Sequence, residues 1–80
     1  MIILWDEPKR LSNLQKHGLD FAELDESFLE RSNIVSARAG RLMAIGQFGV
    51  EPITVIFRWV GSEAVAIISM RKSSRKERNP

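Results

Sequence analysis

The segment AVAIISM (residues 64–70) runs directly into the segment RKSSRKER (residues 71–78). The first segment is apolar and rich in β-branched side chains, interrupted only by Ser69, which predicts a buried strand. Five residues of the second segment are basic, and such a run indicates a surface that binds a polyanion. A solvated basic tail is the competing interpretation, because charge runs also occur without a ligand. In either case the basic surface begins at Arg71 and Lys72, where the strand ends.

The composition describes one small domain over residues 1–80, with no room for a second core. There is no cysteine, so disulfides and thiolate metal sites are excluded, and the single His17 cannot form a metal site alone. No metal or cofactor is therefore expected. The net charge is only +2, which favours a local polyanion-binding site over nonspecific electrostatic binding by the whole surface.

The apolar opening, residues 1–5, ends at Asp6 and has no basic flank. It is too short for a signal peptide or a membrane span. We therefore expect a soluble, cytoplasmic protein with no membrane partner.

Cap signals predict two helices in the first part of the chain. Residues 2–5 form a candidate short strand, and a first helix is expected over residues 8–17, between an aspartate N-cap and a glycine stop. A second helix is expected to begin at Asp20, which forms an Asp-x-x-Glu box with Glu23. The residues that form its apolar stripe are Phe21, Leu24, Phe28 and Leu29.

Four strand candidates follow, separated by turn residues. They are residues 34–38, 41–45, 51–57 and 64–70. The turns recur at hairpin spacing, which predicts an antiparallel meander. The sequence thus predicts an α+β domain in which two N-terminal helices pack on one face of a four-stranded antiparallel meander. Ser73 and Ser74 can cap a short last helix that extends through Arg78.

Basic side chains at the strand ends are the candidate catalytic residues. They are Arg41, Arg58, Arg71 and Lys72. Cleavage of a phosphodiester needs positive charge at the phosphate, and the planar arginine fork binds phosphate oxygens bidentately. In the predicted meander these residues would converge on one region and form a shared phosphate site.

Proton transfer and base stacking have fewer candidates. His17 and Glu51 are possible general acids or bases, and Glu77 is a third. The alternatives are that His17 interacts with the helix dipole and that Glu77 pairs with its basic neighbours. The residues alone do not identify the base. Trp59, beside Arg58, can stack on an RNA base or belong to the core.

Five blocks of the sequence match the motifs of a known family in order. They are WDEPK (residues 5–9), NLQKHGLDF (13–21), RLMAIG (41–46), IISMR (67–71) and ER (77–78). With these blocks the chain resembles the BrnT toxin family. The Asn-x-x-Lys-His-Gly block and the Ile-Ser-x-Arg block together are fairly specific, although either alone is weak. The resemblance implies a RelE-like ribonuclease fold and cleavage of RNA without a metal ion.

The resemblance also implies a partner. This is a cognate antitoxin with a ribbon-helix-helix DNA-binding domain, which neutralises the toxin and represses the shared operon, so operator DNA is reached only through the antitoxin. Arg41 and Arg71 fall on basic positions of the family motifs, and Lys72 follows Arg71 where the family often has a second basic residue. The chain departs from the family at Ala66, where many members have an arginine, and Arg58 is a candidate to supply that charge. It also lacks the tyrosine that commonly follows the Glu-Arg pair.

These observations together predict a toxin endoribonuclease. Arg58 and Arg71 would hold the scissile phosphate, Lys72 or Arg41 would steady the RNA backbone, and the RNA's own 2′-hydroxyl would attack. The expected RNA contacts are Arg75, Lys76, Arg78 and Trp59. The alternative is a non-catalytic module that binds nucleic acid or the antitoxin.

Overall fold

The structure is a computed structural model that describes residues 1–79. In chain order its elements are β1 (Ile2–Trp5), α1 (Glu7–His17), a first 3₁₀ turn (Phe21–Glu23), α2 (Glu26–Arg31), β2 (Asn33–Ser36), a second 3₁₀ turn (Arg38–Gly40), β3 (Leu42–Phe48), β4 (Glu51–Val60), β5 (Ala64–Lys72) and α3 (Arg75–Arg78). The strands form one sheet in the order β1-β5-β4-β3-β2. None of the helices in this part of the chain is long and apolar enough to cross a membrane.

The sheet has five strands and is mixed, so the expected four-stranded antiparallel meander is wrong. Strands β2 to β5 are antiparallel neighbours in chain order, but β1 pairs in parallel with β5. Its register places Ile2 opposite Ala64 and Trp5 opposite Ile67. Two parallel strands cannot be joined by a hairpin, and here the rest of the fold forms the connection. Pairing with β5 gives hydrogen-bond partners to the backbone N–H and C=O groups of the apolar strand β1, and it covers the free edge of β5.

The second predicted helix is interrupted, so the expected pair of N-terminal helices on one face is also wrong. The Asp20 carboxylate accepts a hydrogen bond from the Ala22 N–H at 2.9 Å and caps only a single 3₁₀ turn. The backbone is extended at Leu24. Asp25 then accepts from the Phe28 N–H at 2.8 Å and begins α2. Two aspartates thus compete as N-caps, and each starts its own short element.

Helix α1 confirms the cap prediction but lies beside the sheet. It begins after Asp6 and ends at Gly18, whose φ of 70° is the left-handed conformation that glycine favours. The one buried residue of α1 is the polar Asn13. Its amide nitrogen donates to the Met70 carbonyl at 2.8 Å, and its amide oxygen accepts from the Met70 N–H at 3.1 Å. Asn13 therefore substitutes for a strand residue on β5 beyond the point where β1 ends.

The core fills one face of the sheet, which we call the inner face. Phe21, Leu24, Phe28 and Leu29 pack there, and all four are buried. The sheet residues beneath them are Ala44, Ile53, Val55, Phe57, Val65, Ile67 and Met70. Side chains alternate between faces along a strand, so their neighbours, such as Thr54 and Arg58, project from the opposite, outer face.

A β-bulge in β5 decides which of its residues face outward. Ile56 lies opposite Ser69 and Phe57 opposite Ile67, so Ile68 has no partner on β4. Without this extra residue, Arg71 would share the inner face with Ile67, because both are odd-numbered. The bulge reverses the alternation: Met70 is buried in the core and Arg71 projects from the outer face.

Candidate functional site

Arg71 and Glu77 form a bidentate ion pair on the outer face at the end of β5. Nη1 of Arg71 lies 2.8 Å from Oε1 of Glu77, and Nη2 lies 2.8 Å from Oε2. The Arg71 side chain is 32% exposed and the Glu77 side chain 13% exposed. The arginine is thus held in one orientation while part of it still faces solvent.

Glu77 is itself fixed by the start of α3. Ser74 and Glu77 form a capping box: the Glu77 N–H donates to the Ser74 hydroxyl at 3.2 Å, and the Ser74 N–H donates to Oε1 of Glu77 at 2.8 Å. This confirms the predicted short last helix. The buried Thr54 hydroxyl also donates to Oε1 of Glu77, at 2.9 Å. Because that hydroxyl has only one proton, Ser73, 2.8 Å away, must be its donor.

The ion pair shifts the pKa of both groups. Hydrogen bonds from Arg71 are the main cause that lowers the pKa of the Glu77 carboxyl to about 2, and those from Ser74 and Thr54 act in the same direction. Glu77 in turn raises the pKa of Arg71. A carboxylate with so low a pKa is a poor proton acceptor near neutral pH, which argues against Glu77 as the general base.

Arg58 and Arg41 lie at the far end of the outer face from Arg71. Arg58 is opposite Ala66 on β5, so its side chain projects next to the position where an arginine at 66 would stand. Arg41 directly precedes β3, and extension of the register, in which Leu42 opposes Phe57, places it beside Arg58. Arg71 instead lies opposite Thr54, four residues of β4 away from Arg58, or about 13 Å. The structure therefore does not bring the three arginines together at one phosphate.

Lys72 and Glu51 are placed away from Arg71. Lys72 lies opposite the core residue Ile53, so it projects from the other side of the sheet. Its Nζ is 3.6 Å from Oε1 of Glu51, and the two side chains are 70% and 50% exposed. An exposed pair of this kind is weak and screened by salt. Both residues were candidates from the sequence, yet neither faces the same side as Arg71.

His17 lies in a groove between α1 and β5. The groove has a volume of about 270 Å³, and its lining residues are Lys9, Ser12, Asn13, Lys16, His17, Ile68 and Ser69. Ser69 is two residues before Arg71 and shares the outer face with it, because both follow the bulge. The groove therefore lies along the same strand as Arg71, which is not itself a lining residue, and it brings two lysines and the histidine together.

Sequence reasoning missed Lys9 and Lys16 as site residues. Their spacing of seven residues places them on one side of α1, next to Asn13. That spacing was visible in the sequence. What it could not show is that Asn13 docks on Met70 and so turns this side of α1 toward β5.

The remaining candidates are spread over other surfaces. Glu77 and Arg78 line an open groove of about 520 Å³ together with Arg31, and Lys76 lines another with Met43. Exposed Arg75 completes the basic surface of α3. Trp59 lies beside the apolar residues Leu29, Ile34, Phe57 and Val65 on the inner side, and so faces away from the outer-face site.

Within residues 1–79 no group of three or more His, Cys, Asp or Glu side chains is placed to hold a metal ion.

Comparison with known proteins identifies the family. The model of a family described as the ribonuclease toxin, BrnT, of type II toxin–antitoxin systems matches residues 5–77. The chain belongs to the BrnT family. This BrnT-family chain is accordingly a ribonuclease toxin of a type II toxin–antitoxin system, with an antitoxin as partner and RNA as target.

A solved structure supports the same assignment for this BrnT-family chain. It is the crystal structure of the Brucella abortus ribonuclease toxin, BrnT, which is 54% identical and superposes with a TM-score of 0.88. The match covers 94% of this chain and 99% of the Brucella chain. The five-stranded arrangement is therefore the BrnT fold. No curated protein sequence matches this BrnT-family chain.

Proposed function

We propose that this BrnT-family chain is a metal-independent endoribonuclease that cleaves cytoplasmic RNA and thereby inhibits translation and growth. One observation supports the location of its site. The Arg71 guanidinium is fixed by Glu77 on the outer face, and a groove that contains Lys16 and His17 reaches the same strand at Ser69. Ser69 relates Arg71 to the groove, because it lines the groove and lies two residues, about 7 Å, from Arg71.

The proposed reaction uses a nucleophile that the RNA supplies. A base removes the proton of the 2′-hydroxyl, the 2′-oxygen forms a bond to the adjacent phosphorus, and the bond from phosphorus to the 5′-oxygen breaks. The 5′-oxygen leaves with a proton from an acid, and the products are a 2′,3′-cyclic phosphate and a 5′-hydroxyl. Within the molecule the attacking group is already near the phosphorus, which removes much of the entropic barrier.

The roles of the residues follow from their chemistry and position. Arg71 donates hydrogen bonds to the phosphate oxygens as they gain charge in the transition state. His17 is the imidazole that lines the groove, and an imidazole can act as a general acid or base, so we assign proton transfer to it. Lys9 and Lys16 bind the RNA backbone as point charges.

The other basic residues extend this surface in two directions. Arg58 and Arg41 lie beyond Ala66 at one end, and the basic residues of α3 lie at the other. We therefore propose that they contact the RNA backbone on either side of the scissile phosphate. Lys72 and Trp59, which face away, have no role in this scheme.

Incubation of the purified chain with RNA in excess EDTA tests the activity. We expect cleavage, with cyclic phosphate at the new 3′ ends, and a loss of about 10²-fold or more in the Arg71→Ala and His17→Ala variants. Lys72→Ala should cleave like the wild type. RNA that stays intact with the wild type, although it binds in a salt-sensitive way, would instead indicate the non-catalytic module. Cleavage that EDTA abolishes would contradict metal independence.

A cognate ribbon-helix-helix antitoxin is the second part of the proposal. The family carries an antitoxin partner, and we propose that it neutralises this chain by covering Arg71, represses the operon and is the route to operator DNA. Co-expression of the operon should yield a complex that does not cleave RNA. Operator binding by the complex, but not by this chain alone, is the expected result of a mobility-shift assay.

A further inference from the structure

Glu77 occupies only one edge of the Arg71 guanidinium. The group has five N–H donors. Nη1 donates to Oε1 of Glu77 and, at 3.4 Å, to the Lys72 carbonyl, and Nη2 donates one proton to Oε2 of Glu77. The Nε–H and the second Nη2–H have no acceptor within residues 1–79. These two N–H groups lie on the same edge of the plane and form a second fork.

We propose that Glu77 is a positioning residue for RNA cleavage, which holds one edge of Arg71 so that the other edge meets the scissile phosphate. This inference rests on the proposed function. A free arginine must lose the freedom of its long side chain when it binds phosphate, whereas an arginine already held by a carboxylate loses less. The free fork matches two phosphate oxygens, and the Arg71 side chain is exposed enough to reach them.

The alternative role for Glu77 is to occupy the phosphate-binding position of Arg71 in the free protein. In that case Glu77 would have to leave Arg71 before RNA binds. The contacts of Glu77 argue against departure. Its carboxylate accepts from the Ser74 N–H and from the buried Thr54 hydroxyl in addition to Arg71. Removal of Glu77 would leave the Thr54 hydroxyl without its acceptor, and a buried unsatisfied group is costly. Glu77 therefore stays in place when the phosphate arrives.

The ion pair also changes what Arg71 contributes. Arg71 and Glu77 together carry no net charge, so Arg71 supplies directed hydrogen bonds more than long-range attraction. The attraction must come from unpaired basic groups such as Lys9 and Lys16 in the groove. Loss of Glu77 should therefore slow the chemical step with little loss of affinity for RNA.

The decisive experiment compares steady-state RNA cleavage by the wild type with Glu77→Gln, Glu77→Asp and Glu63→Gln, an exposed control in the β4–β5 turn. We expect kcat to fall by about 10²-fold in Glu77→Gln at nearly constant KM, because misplacement of a catalytic group by about 1 Å costs that much. Glu77→Asp should retain part of the rate, and Glu63→Gln all of it. A faster Glu77→Gln variant would show that Glu77 substitutes for the phosphate and would overturn the inference. An unchanged kcat in this variant would also overturn the inference.

A spectroscopic readout separates positioning from mere structural support. The Nε–H resonance of Arg71 should be sharp in ¹⁵N-labelled wild type, should shift on addition of a non-cleavable 2′-deoxy oligonucleotide, and should broaden in Glu77→Gln. Thermal unfolding shows whether that variant is folded at the assay temperature. If the variant unfolds there, Glu77→Asp provides both measurements. An Arg71 resonance equally sharp in the glutamine variant would contradict the inference even if the wild type cleaves, whereas failure of the wild type to cleave contradicts the proposed function itself.

Discussion

Arg58 and Arg71 project from the same face of the sheet, yet Arg58 lies four residues along β4 from Thr54, the residue opposite Arg71. At about 3.3 Å per residue this places the two positions about 13 Å apart on the backbone, at different ends of the outer face. Of the two, Arg71 is the one fixed by a carboxylate, and it lies two residues from Ser69, which lines the groove that contains His17. The two arginines, which look alike in the sequence, therefore have different places relative to the proposed site.

This difference predicts separable effects of two substitutions. Arg71→Ala should lower kcat by about 10²-fold or more, since it removes transition-state hydrogen bonds. Arg58→Ala should instead raise KM for RNA with little change in kcat, because a backbone contact acts equally on bound substrate and transition state. Steady-state kinetics with a fluorogenic RNA distinguish the two. Equal losses of kcat in both variants would show that Arg58 reaches the scissile phosphate.

Asn13→Ala should destabilise the fold. Its amide satisfies both backbone groups of Met70 in a buried setting, and each unsatisfied buried group costs about 1–3 kcal/mol. We expect a loss of about 2–4 kcal/mol in the free energy of unfolding, measured with urea. The exposed neighbour Gln15→Ala is the matched control and should change it by no more than about 0.5 kcal/mol.

Gly46 leaves no room for a methyl group. A Cβ at this position would collide with Oγ of Ser32, whose hydroxyl donates to the Phe28 carbonyl at 2.7 Å. Gly46→Ala should therefore lower stability by about 1–3 kcal/mol. The double variant with Ser32→Gly removes the obstacle and should recover part of the loss in a double-mutant cycle. Strict additivity of the two changes would contradict this explanation.

Acid should weaken the attachment of α3 to the sheet. The pKa of Glu77 is about 2 in the folded protein and near 4.5 in an ordinary carboxyl, so the folded state favours the ionised form. Its contribution is fully present above about pH 4.5 and is lost as the pH falls toward about 2. Urea midpoints of the wild type and Glu77→Gln should thus differ clearly at about pH 7 and much less at about pH 2.5. A gap that stays constant over this range would contradict the predicted linkage.

Local signals in the sequence predicted some elements well. The ends of α1 and the short helix α3 follow from Asp6, Gly18 and Ser74, because a cap is formed by residues a few positions apart. The prediction of the second helix was wrong at the same local level. Asp20 and Asp25 can both cap a helix, and the sequence does not show which of them begins the longer one.

The position of β1 and the face that Arg71 uses could not be predicted locally. The pairing of Ile2 with Ala64 joins residues far apart in the chain and has no turn signal between them. The bulge at Ile68 is a matter of register, and a shift of one residue reverses every side chain that follows. The basic run indicated that Arg71 is important, but the bulge decides that it projects from the outer face, away from Lys72.

The parallel pairing of β1 with β5 also affects the order in which contacts form during folding. Contacts between distant parts of a chain form late in folding, because a large loop must close before they contribute. The α1 side of the groove reaches β5 through such contacts, including the Asn13–Met70 bonds across 57 positions of sequence. A chain that is still being synthesised or is partly folded therefore has its lysines, histidine and Arg71 apart. The groove and the strand that carries Arg71 therefore come together only in the completed fold.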